Sequence, residues 1–456
     1  TDLAEYTRRL TEIFHKHGTD GTWYAHASVG TLHVRPVLNL KLDQDVKAMR
    51  AIAEEAFEMV REYKGSHSGE HGDGIVRSEF HREMFGDRMV ESFEWVKDRM
   101  DPGGVLNPGR VVRPPKMDDR ALFRFAPDYQ VPELDTVFDW SAYKGAGGGF
   151  QGAVEMCNNN GACRKADGVM CPSYKVTRDE RDLTRGRANS LRLAISGQLG
   201  AEAFTSDEMA ETLSLCVSCK GCKRECPTGV DMAKMKIEVL AARAAKQGVA
   251  LREMLVAYLP RYAPYAAKLP WLPNLRDRLP GLAALSQRLF GFAADRALPR
   301  WRGDVYRQRE TPMQGDEVLF FADTFNRYFE PENLRDAETV LLRAGLAPVE
   351  AKPDDGGRPL CCGRTFLAAG LVEEAKAEMR RSLTVIAHAV DRGVPVVGLE
   401  PSCLLTFRDE APALLGEEWT AEQAQKVMLF EEFIAARLAP EGGGFELPLA
   451  PLPNGS

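Results

Sequence analysis

Two periods of apolar residues divide the chain. Helical spacing holds over residues 4–14 and again over 47–63, where Met49, Ile52, Ala53, Ala56, Met59 and Val60 fall on one face. Residues 81–100 predict a further helix, stopped by Asp101-Pro102-Gly103-Gly104. Residues 21–26 and 31–38 read as strands joined by a short Val29-Gly30 turn. A glycine-rich hinge at 144–149 leads into residues 150–245, which read as mostly helical between cysteine loops. From Glu317 the pattern changes again, with strand-like runs at 317–322 and 394–399 and a helix over 371–390 between them. The expected architecture is an α+β multidomain chain without internal repeats. It comprises an α/β domain at 1–125, a mostly helical domain at 126–250, a basic Pro-rich linker at 251–314 and an α/β cysteine-rich module at 315–456.

Composition narrows the function. The 456 residues carry 59 Lys and Arg against 66 Asp and Glu, a net charge of −7 that argues against nucleic acid as a partner. No apolar run approaches the ~20 residues of a transmembrane segment. No secretory signal is apparent either, so the expected location is cytoplasmic. Residues 251–309 differ from the rest, with 11 basic against 4 acidic side chains and prolines at 260, 264, 270, 273, 280 and 299. They read as a linker docked over its neighbours. The alternative is a peripheral surface for the inner membrane face or an acidic partner. The chain opens at Thr1 without Met and stops at Pro453-Asn454-Gly455-Ser456, which reads as a fragment.

Cysteine is the informative residue. Seven of the ten fall between 157 and 226, and such clustering in a long, unexported chain points to metal ligation rather than disulfides. Cys216, Cys219, Cys222 and Cys226, the last followed by Pro227, form C-x2-C-x2-C-x3-C-P, the bacterial two-cluster ferredoxin run. A zinc site also uses C-x2-C pairs, but needs neither the third Cys at x2 nor the fourth before proline. By the crossed pattern, Cys171 in Cys171-Pro172 completes a [4Fe–4S] cluster with Cys216, Cys219 and Cys222. The partner run keeps Cys157 and Cys163 but has Asn160 in the middle, leaving the second site Cys157, Cys163 and Cys226. Three thiolates suit a [3Fe–4S] cluster or a [4Fe–4S] cluster completed by Asn160 or water; an empty site is the third reading.

A second constellation is built from histidine. With a turn at Val29-Gly30, His26 and His33 would face each other across the strands on one face and could share an ion. The loop 65–74, Gly-Ser-His-Ser-Gly-Glu-His-Gly-Asp-Gly, could bring Glu70 as third ligand and His71 as a base, a two-His, one-carboxylate site with open positions. Packed or hydrogen-bonded cross-strand histidines beside an ordinary glycine turn are the competing reading.

The Gly69-Glu70-His71-Gly72-Asp73-Gly74 loop, followed by Asp101-Pro102 and Leu106-Asn107-Pro108-Gly109, resembles the C-terminal half of the FAD-linked 2-hydroxyacid dehydrogenases. Together with the two cysteine runs and Cys361-Cys362-Gly363, the order of motifs is most similar to the large bacterial D-2-hydroxyglutarate dehydrogenases. The resemblance implies FAD-dependent oxidation of a D-2-hydroxy acid, with electrons passed through iron–sulfur clusters to an acceptor. It implies a divalent metal, usually zinc, on His26, His33 and Glu70, with His71 as general base and Asn107 near the flavin. Where relatives carry Asn two positions after the second histidine, this chain has Arg35. It also implies a flavin-binding domain of the same polypeptide that these residues lack. The module with Cys361, Cys362 and Cys403 resembles one half of a heterodisulfide-reductase-like cysteine-rich domain, with Thr406 where a fourth ligand would stand. D-Lactate or glycolate oxidation, and a non-catalytic electron-transfer subunit, are the alternative functions.

Overall fold

The two long amphipathic windows of the first domain fold as α1 (Leu3–Lys16) and α2 (Asp43–Glu62) in a computed structural model that describes residues 2–127, 129, 132–143, 148–309 and 315–438. Hinge residues 144–147 and the closing 453–456 lie outside the described residues. The chain divides into two compact units, Thr1–Val131 and Pro132–Ser456.

In the first unit Leu10 and Phe14, one helical turn apart, meet Ile52 and Met59 of α2 in one apolar cluster. Strands β1 (Gly21–His26) and β2 (Thr31–Pro36) pair antiparallel, and Trp23 and Val34 face each other in the register and pack on that cluster. Gly21 lies so close to the Phe14 ring that no Cβ fits between them. The connection is longer than the expected two-residue turn. Ala27–Val29 make a 3-10 turn closed by Gly30 at φ 72°. Four connecting residues instead of two move the pairing, so His33 sits opposite Tyr24 and His26 opposite Thr31, rather than opposite each other. The helix expected over 81–100 is two, α3 (His81–Phe85) and α4 (Asp87–Met100), because Gly86 at φ 81° and ψ 164° leaves helical space.

The second unit begins with helices α5 (Gly149–Glu155), α6 (Pro172–Thr177), α7 (Thr184–Ile195), α8 (Asp207–Ser214), α9 (Gly221–Glu225) and α10 (Met232–Gln247). Buried Glu238 of α10 accepts the Val137 and Phe138 N–H groups and the Trp140 indole N–H at 2.7–2.9 Å, tying the entering chain to that helix. The basic, proline-rich stretch folds into four short helices, α11 (Leu251–Ala257), α12 (Leu259–Ala266), α13 (Trp271–Arg278) and α14 (Leu282–Phe290). It is clamped to the following module by Thr365, whose hydroxyl donates to the Ala257 carbonyl, and by Arg261 on buried Glu378.

That module carries a four-stranded, all-parallel sheet in the order β4-β3-β5-β6: β3 (Asp316–Phe321), β4 (Leu346–Glu350), β5 (Val396–Gly398) and β6 (Val427–Leu429). Both faces are covered, as a parallel sheet requires. Leu319 and Phe321 of β3 join a core that runs continuously back to Leu183, Leu191 and Val239 of the helical part, while Val318 and Phe320 join a second core with Leu334 and Phe433.

Candidate functional site

Strand alternation decides which hairpin residues are free for chemistry. Trp23 and Val34 point at the core, so Tyr24, His26, His33 and Arg35 share the opposite face. His26 and His33 are diagonal neighbours there, with ring centroids 5.1 Å apart. The glycine-rich loop brings Glu70 to them, with Oε1 2.7 Å from His33 Nε2 and Oε2 3.7 Å from His26 Nε2. One ligand atom from each of the three lies within 4.8 Å of the others. Buried His33 Nε2 forms no hydrogen bond in spite of its closeness to the carboxylate. Two imidazole nitrogens and a carboxylate gathered this closely, one nitrogen buried without a hydrogen bond, are donors that a divalent ion can draw together. The donor set therefore fits a metal.

Beside this group, His71 Nε2 lies 3.0 Å from Glu70 Oε1, its ring 5.2 Å from that of His33, and its side chain is 62% exposed. A cavity of about 1000 Å³ opens here, lined in part by His33, Arg35, Glu70, His71 and Arg77. Two features escaped the sequence reading. Tyr24 stacks on His33 with centroids 4.4 Å apart, and its hydroxyl accepts from the Arg35 guanidinium at 2.5 Å. The strand period would have found it, since it shares the face of His26. The same loop also gathers His67 and Asp73 against His81. Asn107, by contrast, sits in an exposed turn at φ 47° and is not among the residues lining the cavity.

In the second unit, Cys171, Cys216, Cys219 and Cys222 line one small cavity with Arg187 and Met232. Left-handed backbone at Cys171 (φ 49°), Ser218 (φ 54°) and Lys220 (φ 59°) bends two loops around that space. Cys171 Sγ accepts the Thr184 N–H at 3.1 Å. Burial pushes the Cys222 thiol up to about 12, so it gives up its proton only against a metal. Four thiols converging on one cavity fit an iron–sulfur cluster.

Cys157 and Cys163 are buried nearby. Burial raises the Cys163 thiol, with Cys171 and Cys157 close enough to add to the shift. Cys226 is lowered: burial acts upwards, but the Thr228 hydroxyl and the backbone N–H groups of Val230, Thr228 and Gly229 outweigh it. Asn160 is held in its own turn, its Oδ1 accepting the Ala162 N–H at 2.8 Å and its Nδ2 donating to Asn158 at 2.6 Å. In the last module Cys361, Cys362 and Cys403 are three buried thiols, with Cys362 and Cys403 Sγ atoms 3.0 Å apart. Thr406 turns its hydroxyl to the Ser402 carbonyl. Just beyond it, Asp409 and Glu410 take Lys220 of the cluster loop at 2.8 and 2.6 Å. Burial would raise Asp409, yet Lys220, Lys223 and Lys234 hold it well below the usual carboxylate range.

Comparison with known proteins follows the same division. Residues 1–111 match the family described as FAD linked oxidases, C-terminal domain. Residues 153–230 match the family described as 4Fe-4S dicluster domain. Over 96% of its length the chain is 26% identical to the D-2-hydroxyglutarate dehydrogenase of Escherichia coli (strain K12), covering 46% of that protein. Over 95% it is 29% identical to the D-2-hydroxyglutarate dehydrogenase of Pseudomonas putida, again covering 46%. A D-lactate dehydrogenase of Archaeoglobus fulgidus is 32% identical over 24% of the chain and 24% of its own length. The chain thus spans somewhat under half the length of the two D-2-hydroxyglutarate dehydrogenases, and joins an FAD-linked oxidase domain to an iron–sulfur domain, as the motif order predicts. No solved structure gives a significant match.

Proposed function

We propose that this chain is the substrate-oxidising and electron-transferring part of an FAD-dependent D-2-hydroxy acid dehydrogenase, with D-2-hydroxyglutarate as substrate and 2-oxoglutarate as product. The observation that carries the reading is the convergence of His26, His33 and Glu70, with His33 Nε2 unpartnered, at a cavity that also presents His71. The choice of substrate rests on extent. Similarity to the D-2-hydroxyglutarate dehydrogenases runs along nearly the whole chain, that to the D-lactate dehydrogenase along 111 residues.

His26, His33 and Glu70 would hold a divalent metal of the zinc class. Such a metal, when bound, polarises the α-hydroxyl and carboxylate of a 2-hydroxy acid and lowers the hydroxyl pKa. His71 takes the hydroxyl proton at its ring nitrogen. Arg35 and Arg77, on the cavity wall, pair with substrate carboxylates. FAD, held by a flavin-binding domain that is not among these residues, supplies the acceptor for the α-hydrogen as hydride. Cys171, Cys216, Cys219 and Cys222 hold a [4Fe–4S] cluster, and Cys157, Cys163 and Cys226 a second, three-thiolate cluster of the [3Fe–4S] type. Asn107 serves the flavin from its turn.

The test is metal analysis with anaerobic EPR on this chain, and D-2-hydroxyglutarate turnover by the flavin-loaded enzyme. His33→Ala is expected to lose about one zinc per chain while keeping its iron. Zinc content unchanged in that variant would refute the ligand assignment. Turnover of D-lactate or glycolate in place of D-2-hydroxyglutarate would correct the substrate.

Among the described residues no helix is long and apolar enough to cross a membrane. Helices α12–α14 nevertheless leave Tyr265, Leu269, Trp271, Leu272 and Leu289 more than half exposed within the stretch that carries 11 basic and 4 acidic side chains. We propose that this segment rests on an anionic bilayer through its exposed apolar and basic side chains. Vesicles containing phosphatidylglycerol are expected to sediment the chain about tenfold better than phosphatidylcholine vesicles, and Leu272→Glu to abolish the difference. Equal partition onto both would overturn it.

A further inference from the structure

His67, Asp73 and His81 form a second convergence of ligand atoms outside the site already described. His67 lies in the loop ahead of Glu70, Asp73 lies three residues beyond Glu70, and His81 begins α3. His67 Nε2 lies 3.3 Å from one Asp73 oxygen and His81 Nε2 3.0 Å from the other, with the three ligand atoms within 4.8 Å of one another. Both imidazoles are sealed, His67 at 0% and His81 at 2% side-chain exposure.

The hydrogen bonding of His81 makes the arrangement informative. Its Nδ1 is 3.1 Å from the Val111 carbonyl, an acceptor only, so that nitrogen carries the proton. In the neutral ring Nε2 then presents a lone pair, and it faces a carboxylate oxygen. Two acceptors at 3.0 Å repel each other unless a positive charge lies between them. His81 Nε2 and Asp73 Oδ1 are both buried without the hydrogen bond that a shared proton would make. The 3.0 and 3.3 Å separations are those of neighbouring ligands around ~2.1 Å bonds. A histidine anchored through its other nitrogen to a backbone carbonyl is also how proteins orient a metal ligand.

The surroundings agree. Phe57 packs on His67 at 4.9 Å between centroids, and Phe85 on His81 at 5.3 Å, with Phe93 behind at 6.1 Å. We propose that His67, Asp73 and His81 bind a divalent cation of the zinc class, separate from the ion at His26, His33 and Glu70. With both imidazoles closed off from solvent, the site is structural. It staples the Glu70–His71 loop to α3 and so fixes the residues that flank the cavity.

The experiment is a zinc count by mass spectrometry on the cluster-loaded chain, dialysed against chelator and refilled with Zn²⁺ alone. The wild type is expected to hold about two zinc ions per chain, and His81→Gln and His67→Phe about one. His33→Ala, which leaves the buried group untouched, is expected to retain about one, and Co²⁺ in its place to give the visible bands of a low-coordinate N/O site. No zinc in His33→Ala, or zinc unchanged in both His81→Gln and His67→Phe, would overturn the proposal. Zinc lost from His81→Gln but not from His33→Ala would uphold it while removing the metal from the first site.

Discussion

Replacing His71 by alanine in the flavin-loaded enzyme is expected to lower kcat for D-2-hydroxyglutarate by about 10²–10⁴-fold, with KM little changed. The side chain is 62% exposed and lies 3.0 Å from Glu70, so its removal empties a place at the cavity rather than a place in the core. Since His71 is not among the three converging ligands, zinc and iron contents are expected to match the wild type. Glu70→Gln differs in kind, since it weakens the metal site itself and loses zinc together with activity. The cavity of about 1000 Å³ is large enough to admit a free imidazole beside the substrate, so added imidazole is expected to restore part of the His71→Ala loss. Near-wild-type turnover in His71→Ala would refute the base assignment. Lost activity accompanied by lost zinc would make His71 a ligand instead.

How much of this was legible in the sequence depended on how local each feature is. The helices α1, α2 and Val372–Asp391 bury residues at 3.6 spacing, so their pattern is their own evidence. Strand β3 reads as an apolar run because a parallel sheet buries both its faces. Strand β4 contains Pro348 and β6 has three residues, too little pattern to read. Residues 251–309 look like a linker from their prolines, yet Pro260 sits in the first turn of α12 and Pro270 caps α13, positions where the missing N–H costs nothing. The hairpin register failed through one 3-10 turn, but a shift of two keeps side chains on the same face, which is why His26 and His33 still converge. Cysteine spacing was readable because ligand loops are short. His67, Asp73 and His81 became a group only once α3 had folded back on the loop, and no spacing rule announces that.

The second large effect concerns which cysteine completes which cluster. Cys171 comes from a loop 45 residues before Cys216, yet it is Cys171, not Cys226, that lines the cavity with Cys216, Cys219 and Cys222. A local loop could in principle close a cluster on itself, with Cys226 as fourth ligand. Against that, Cys226 is absent from the lining of that cavity, and the Thr228 hydroxyl at 3.3 Å and the backbone N–H groups of its own turn favour its thiolate where it stands. Cys171→Ser is therefore expected to lose about four iron atoms per chain and the reduced [4Fe–4S] EPR signal, while the oxidised-state signal of a three-thiolate cluster persists. Cys226→Ser is expected to do the reverse, removing the oxidised-state signal and leaving the [4Fe–4S] signal in place. If Cys226→Ser abolishes the [4Fe–4S] signal and Cys171→Ser spares it, the crossed ligation is wrong. The ion pairs of Lys220 and Lys223 with Asp409 and Glu410 hold the loop in both variants, so loss of a cluster is read as loss of a ligand rather than of the fold.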